Sequence, residues 1–206
     1  SITAQIINVL YNMVDRMFIG HISEIGSMAL TGVGITFPII TLISAFSGLI
    51  GMGGAPLAAI EMGKQNIQKA EKILGNCVTS LVVTSIFLMA FIFYFQNTLL
   101  SFFGASENTI QYASDYLTIY VCGTLFVQIS LGLNTFITSQ GFAKTSMSTV
   151  MIGAILNIIL DPILIFGFDM GVKGAAFATI LSQCVSAIWV MRFLTGKNTK
   201  LRIKKQ

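Results

Sequence analysis

Asn157 and Asp161 stand four residues apart on one apolar run, and the residue after the aspartate is a proline. Four residues is about one helical turn, so an amide and a carboxylate share a helix face. Pro162 has no N–H to give the Ile158 carbonyl, which leaves a third oxygen free beside them. Such an oxygen-rich set has the chemistry to take up a sodium ion or a proton. Keeping it there is costly. Insertion scales put an aspartate at the centre of a membrane helix at roughly 2.5–3.5 kcal/mol, so it persists only where it finds partners or does work.

Further polar groups fall on helical spacing. Gln5, Asn8, Asn12 and Asp15 follow one another at intervals of three, four and three residues, forming one stripe on an otherwise apolar segment. A polar stripe inside a membrane faces other helices or water. Thr179, Ser182, Gln183 and Ser186 share a face in the same way, and Asn134 lies on a separate apolar run. A hydrogen-bonded packing seam, at ~0.6 kcal/mol per contact, explains the amides as well as a binding role does. Gln5, Asn8, Asn12 and Gln183 are therefore candidates for lining a substrate cavity. The carboxylates Asp15 and Asp161 demand more than packing.

The elements that hold these groups must be transmembrane helices. The 206-residue chain is 54% hydrophobic and 10% charged, with a mean hydropathy of +0.82, where soluble domains run near a quarter charged. Residues 25–60, 73–106, 116–143 and 174–191 contain no Asp, Glu, Lys or Arg, and about 20 apolar residues span a bilayer as a helix. The short alternating strands of an outer-membrane barrel are absent from the pattern. Six helices are predicted, at about 1–19, 28–62, 71–97, 110–141, 147–167 and 172–194. The second and fourth exceed a simple span and should tilt, bend or protrude. Pro38 and Pro56 are natural bends, and the run Gly48, Gly51, Gly53, Gly54 lets a neighbouring backbone come close.

Basic residues set the orientation. With a cytoplasmic N-terminus, the inner segments hold Lys64, Lys69, Lys72, Lys144, Arg192, Lys197, Lys200, Arg202, Lys204 and Lys205, and the outer ones only Arg16 and Lys173. Both ends of the chain are then cytoplasmic, with residues 197–206 a basic tail or linker against anionic headgroups. Asp15, Asp161 and Thr179 fall at one level, toward the outer third of the membrane, while Asn134 lies nearer the cytoplasmic end. The chain has no initiator Met and no signal-peptide pattern, and is expected to start inside or just before its first span.

Several chemistries are excluded or disfavoured. Cys77, Cys122 and Cys184 sit in apolar runs without metal-like spacing, and His21 is the one histidine, so neither a disulfide set nor a zinc site is expected. Gly51–Pro56 has proline where a dinucleotide fingerprint needs glycine and no strand before it. No Walker A loop supplies ATP chemistry, and an Asp15–Asp161 protease dyad lacks the glycine-x-glycine-aspartate pattern. The basic tail has no interleaved aromatics for nucleic acid. No enzyme activity and no cofactor are expected, only Na+ or H+ as a coupling ion.

Four stretches carry a resemblance: LYNMVDRMFIGH at Leu10–His21, GVGITFPI at Gly32–Ile39, LNIILDPILIFG at Leu156–Gly167 and MGVKGAAFATILSQ at Met170–Gln183. Together they resemble the multidrug and toxin extrusion (MATE) family, end to end. The resemblance implies an all-α membrane protein, a six-transmembrane-helix bundle over residues 1–206 forming the N-terminal lobe of a two-lobe transporter. The second lobe would come from the same polypeptide or from a homodimer. It further implies a cation or proton site at Asp15, Asn134, Asn157, Asp161 and Thr179, with Na+ held at Asp15, Asn157 and Asp161. The implied activity is Na+ or H+ antiport of small amphipathic, cationic drugs across the inner (plasma) membrane. A lipid-linked saccharide flippase, which would need several Arg or Lys in its cavity, and a non-transporting assembly subunit are the alternatives.

The orientation is directly testable. In a background lacking Cys77, Cys122 and Cys184, an impermeant thiol reagent added outside should label Ser106→Cys and spare Asn198→Cys. The reverse pattern would invert the topology.

Overall fold

Among the described residues, long apolar runs with few breakers fold into helices alone. The computed structural model describes residues 10, 13–22, 25–197 and 199–203. Helix α1 covers residues 13–20, followed by α2 (Gly26–Gly63), α3 (Ile67–Phe102), α4 (Ile110–Cys122), α5 (Thr124–Ser139), α6 (Ala143–Pro162), a π-helical turn (Ile163–Gly167) and α7 (Gly171–Thr195). Among the described residues, α2, α3, α7 and α6 with its π turn are each long and apolar enough to cross a membrane, and α4 with α5 forms a further, bent span. Leu49 is 70% and Phe87 63% exposed on the outer surface; hydrocarbon satisfies such a surface and water does not.

The helices differ from the expected ones where proline and glycine act. Pro38 and Pro56 both lie within α2, which continues through them for 38 residues, about 57 Å at 1.5 Å per residue and well beyond a bilayer core of about 30 Å. The fourth helix, expected as one piece over 110–141, breaks at Gly123, where α4 and α5 meet at 58°. The cause is packing. A Cβ on Gly123 would lie 2.6 Å from the Ile180 side chain of α7, so glycine lets α7 press into the bend. Of the glycines in α2, Gly51 meets α5 backbone, where a Cβ would stand 2.5 Å from the Gly132 carbonyl oxygen, and Gly54 faces Cys77 and Phe136. Gly53 has open space around it.

Two hydrophobic clusters hold the bundle. One joins Ile19, Val33, Ile39 and Ile43 with Leu88 and Ile92 of α3, Leu117 and Val121 of α4, and Ala175 and Ala176 of α7. The other lies at the end carrying Lys64, Lys69, Lys144 and Arg192, here called the basic end, and joins Ala58, Leu74, Phe136, Ile137, Val190 and Leu194. Along α5 the two meet at Gln128, whose Nε2 donates to the Ile43 carbonyl while its own carbonyl accepts from the Ser47 hydroxyl. The bent span is thus stitched to different neighbours above and below its break. On the far side Gln96 of α3 donates to Ser114 and Thr118 of α4, and Lys173 pairs with Asp115 at 3.6 Å.

The segment after α7 folds back onto the basic end. Gln140 Oε1 accepts from the Thr199 hydroxyl at 2.8 Å and from the Lys200 and Leu201 N–H groups at 2.9 Å. Leu201 is fully buried in the second cluster, the Arg202 N–H reaches Glu71 Oε1, and the Ile203 N–H reaches the Leu194 carbonyl. A stretch that looks like a basic tail is therefore a strap built around one amide oxygen. Leu201→Ala is expected to destabilise the full-length protein by about 2–5 kcal/mol, and Gln140→Ala by about 1–3 kcal/mol through unpaired donors. Thermal unfolding in detergent checks this; unchanged midpoints for both would mean that the strap is not part of the fold.

Candidate functional site

Asp161 sits on α6 one residue before Pro162, and the chain does not stop there. Proline cannot donate the next helical bond, and the backbone widens into the π turn, closed by the Phe168 N–H on the Ile163 carbonyl at 2.9 Å. Such turns recur at functional sites because they re-aim neighbouring side chains. α7 packs hard on this turn. A Cβ on Gly174 would lie 2.7 Å from the Leu164 carbonyl oxygen, so only glycine brings α7 close enough to present Thr179 to α6.

The polar cluster forms between α1, α6 and α7. Asn157 Nδ2 donates to Asp161 Oδ1 at 3.2 Å and to Thr179 Oγ1 at 3.5 Å, while the Thr179 hydroxyl donates to the Ala175 carbonyl. The carboxyl groups of Asp15 and Asp161 stand within hydrogen-bonding reach of each other. Asp161 is fully buried, Asn157 2% and Asp15 8% exposed. Arg16 does not ion-pair with Asp15. It lies 4.1 Å from the centre of the Phe37 ring instead, which removes the simplest structural explanation for the first carboxylate. Three buried oxygens, Asp15 Oδ1, Asn157 Oδ1 and Asp161 Oδ2, accept no hydrogen bond. Orphaned buried acceptors around two carboxyl groups fit a small hard cation or a shared proton.

The cluster closes one part of a cavity of about 360 Å³. Asp15, Asn157 and Thr179 reach its surface, with Asp161 behind them. The apolar wall comes from Phe37, Val127, Leu131 and the stacked pair Tyr116 and Tyr120, whose rings lie 6.2 Å apart. Ser130 and Gln183 join across it, the serine hydroxyl donating to Gln183 Oε1. Among the described residues, no Lys or Arg lines the cavity.

The structure places the expected residues unequally. Asp15, Asn157, Asp161 and Thr179 come together. Asn134 lines the same cavity but turns its amide to the Ser146 carbonyl, 3.2 Å away, about 16 Å along α6 from Asn157. Gln183 is on the cavity wall, and Gln5, Asn8 and Asn12 lie outside the described residues. Sequence reasoning missed Ser130, Tyr116 and Tyr120. A signal was present: Ser130 stands one turn before Asn134, and the tyrosines four residues apart.

A family model, MatE, matches residues 1–163. The chain belongs to the MatE family. The match ends just past Asp161 and Pro162, so Thr179 enters on geometry. Among curated relatives, Multidrug export protein MepA of Staphylococcus haemolyticus is 30% identical over 196 residues, covering 95% of this chain and 43% of that protein. MepA of Staphylococcus aureus (strain NCTC 8325) is 26% identical over 184 residues, 89% of this chain and 40% of that one. A crystal structure of MATE in the bent conformation matches with a TM-score of 0.89 at 26% identity, covering 96% of this chain and 44% of that chain. This MatE chain spans less than half the length of these relatives. Its all-helical bundle matches one part of the MATE transporter fold.

Gly174 tests the packing that builds the cluster. Gly174→Ala is expected to lower the unfolding midpoint of the full-length protein, an overpacking cost of about 1–3 kcal/mol. Gly75→Ala, at a helix position with open space, should leave it unchanged or raise it. Equal midpoints for the two would refute the close approach of α7.

Proposed function

We propose that this lobe is the N-terminal half of a secondary active exporter that exchanges Na+ or H+ for small amphipathic organic cations across the cell membrane. The observation that carries the reading is the set of three orphaned oxygens on Asp15, Asn157 and Asp161 at the edge of an aromatic-walled cavity. Two carboxyl groups side by side in low dielectric need a proton or a cation to be stable. A cationic substrate in the same cavity supplies that charge in another way, with the aromatic wall at Tyr116 and Tyr120 beside it. Ion and drug then compete for one electrostatic deficit, which is the basis of exchange. The names of the relatives, multidrug export proteins, agree with this reading.

Each residue has a part. Asp161 titrates or ligates, Asp15 is its partner at the cavity surface, and Asn157 and Thr179 hold the geometry from the same face. Occupancy changes the charge beside Pro162 and the π turn, a non-ideal backbone segment whose preferred bend depends on that charge, and so biases inward- against outward-open forms. The second lobe, from the same polypeptide or a second copy, completes the cavity. A flippase for pyrophosphate-linked saccharides is disfavoured, since the described residues of the wall include no lysine or arginine.

Asp161→Asn keeps the shape and removes the charge. In the full-length protein it should reach the membrane at normal abundance and still bind substrate, with gradient-driven efflux falling to the vector-only background. Asp15→Asn should cause a similar loss, and the double variant no more than either alone, because the two act as a unit. Efflux at the wild-type rate by Asp161→Asn would end the assignment. Repeating the assay with Na+ and pH gradients imposed separately identifies the ion.

A further inference from the structure

Three helices run from the carboxylate pair toward the basic end with a polar or small residue at nearly every turn. On α6 the line is Asp161, Asn157, Gly153, Thr149 and Thr145, each four residues from the last; on α5 it is Ser130, Asn134 and Thr138; on α7 Thr179 and Gln183 share it with Ser182 and Ser186. Four residues advance a helix by about 6 Å, so Asp161 to Thr149 covers about 18 Å of a bilayer core of about 30 Å. The cavity follows this line, reaching Asn134, Thr149, Ser182 and Ser186. Beyond its floor the line continues to the surface. Asn134 donates to the Ser146 carbonyl, and the hydroxyl of exposed Thr138 donates to Ser146 Oγ at 2.7 Å.

The hydrogen-bond directions say what this seam suits. Ser186 donates to the Thr149 carbonyl, Thr149 to that of Thr145, Ser182 to that of Ala178 and Thr179 to that of Ala175. Each hydroxyl proton is spent on backbone, while each oxygen keeps a lone pair to offer. Asn134 adds a buried Oδ1 that accepts nothing. Hydroxyl oxygens with lone pairs to spare along this part of the wall suit a cation or a proton-carrying water file. α6 and α7 approach closely along this line, since a Cβ on Gly153 would lie 2.7 Å from Ser186 Oγ.

We propose that this seam between α5, α6 and α7 is a hydrated cation lane by which the coupling ion passes between the Asp15–Asp161 pair and the cytoplasm, inside the lobe and along the α5–α6–α7 wall of the cavity. The lane rests on the reading above for the existence of a coupling ion. It adds Thr149, Ser186 and Asn134 as residues that line the ion's path without holding it.

The test uses the full-length protein without native cysteines, in inside-out vesicles, carrying Thr149→Cys, Ser186→Cys or, as a dry control, Ala176→Cys, whose parent residue is fully buried in the first cluster. A small cationic methanethiosulfonate applied to the cytoplasmic face should modify the two lane cysteines at least about tenfold faster than the control, since only hydrated thiols ionise and react. Gly153→Val on the same backgrounds should slow modification of Ser186→Cys, and alone it should slow ion-driven counterflow. If one lane variant fails to insert, the other carries the measurement. Modification no faster than at Ala176→Cys, or only from the outer face, overturns the lane. The labelling does not depend on coupling. Failure of the lane with efflux still abolished by Asp161→Asn leaves the antiport reading standing, and a labelled lane with wild-type efflux by Asp161→Asn overturns both the antiport reading and the lane's role in it.

Discussion

Two carboxyl groups held together in an apolar bundle constrain everything around them. Neither carboxylate makes an ion pair with a described Lys or Arg, and their mutual repulsion grows as the dielectric falls. Proline at 162 and the π turn set the direction of Asp161, glycine at 174 admits α7, and Asn157 bridges to both Asp161 Oδ1 and Thr179. Arg16 is held over the Phe37 ring. Each of these choices has a packing cost, and together they keep the charge deficit open at the edge of the cavity.

The packing around that deficit is divided. One cluster gathers the first half of α2 with α4 and the start of α7, and the other gathers the second half of α2 with α5 and the end of α7. The cavity draws residues from both parts, Tyr116 and Tyr120 from above the break at Gly123 and Val127, Ser130 and Asn134 from below it. A change of angle at Gly123 would move its walls relative to one another. Rigid clusters joined by a few bent segments are the usual means by which a small local event becomes a large displacement.

Much of this was legible in the residues. Charge-free runs and the Asn157–Asp161–Pro162 spacing announce helices and a buried acidic site, because both depend on interactions within one turn or one span. What escaped depends on distant partners. Gly123 looks like any membrane glycine until Ile180, 57 positions later, is seen to fill its place. Gln140 looks like a loop residue until Thr199 to Leu201 close on its oxygen. Leu201 and Ile203 alternate with Lys200 and Arg202, and the charges hide the burial. Asn134 carries the family's residue type on a suitable face, yet its amide finds Ser146, since the nearest backbone acceptor wins over a more distant cluster.

The strap changes how the surface of the molecule should be read. Turns between helices are ordinarily the places where a chain accepts extra residues, and the turn at Gln140 and Gly141 looks like one of them. It is not free to drift, because displacing Gln140 releases the segment that follows α7 and uncovers Leu201. Two loops that are 59 positions apart therefore form one unit of inheritance: a lengthened turn at 140 is viable only alongside a changed sequence at 199–201, and the lengths of the two should vary together among functional descendants.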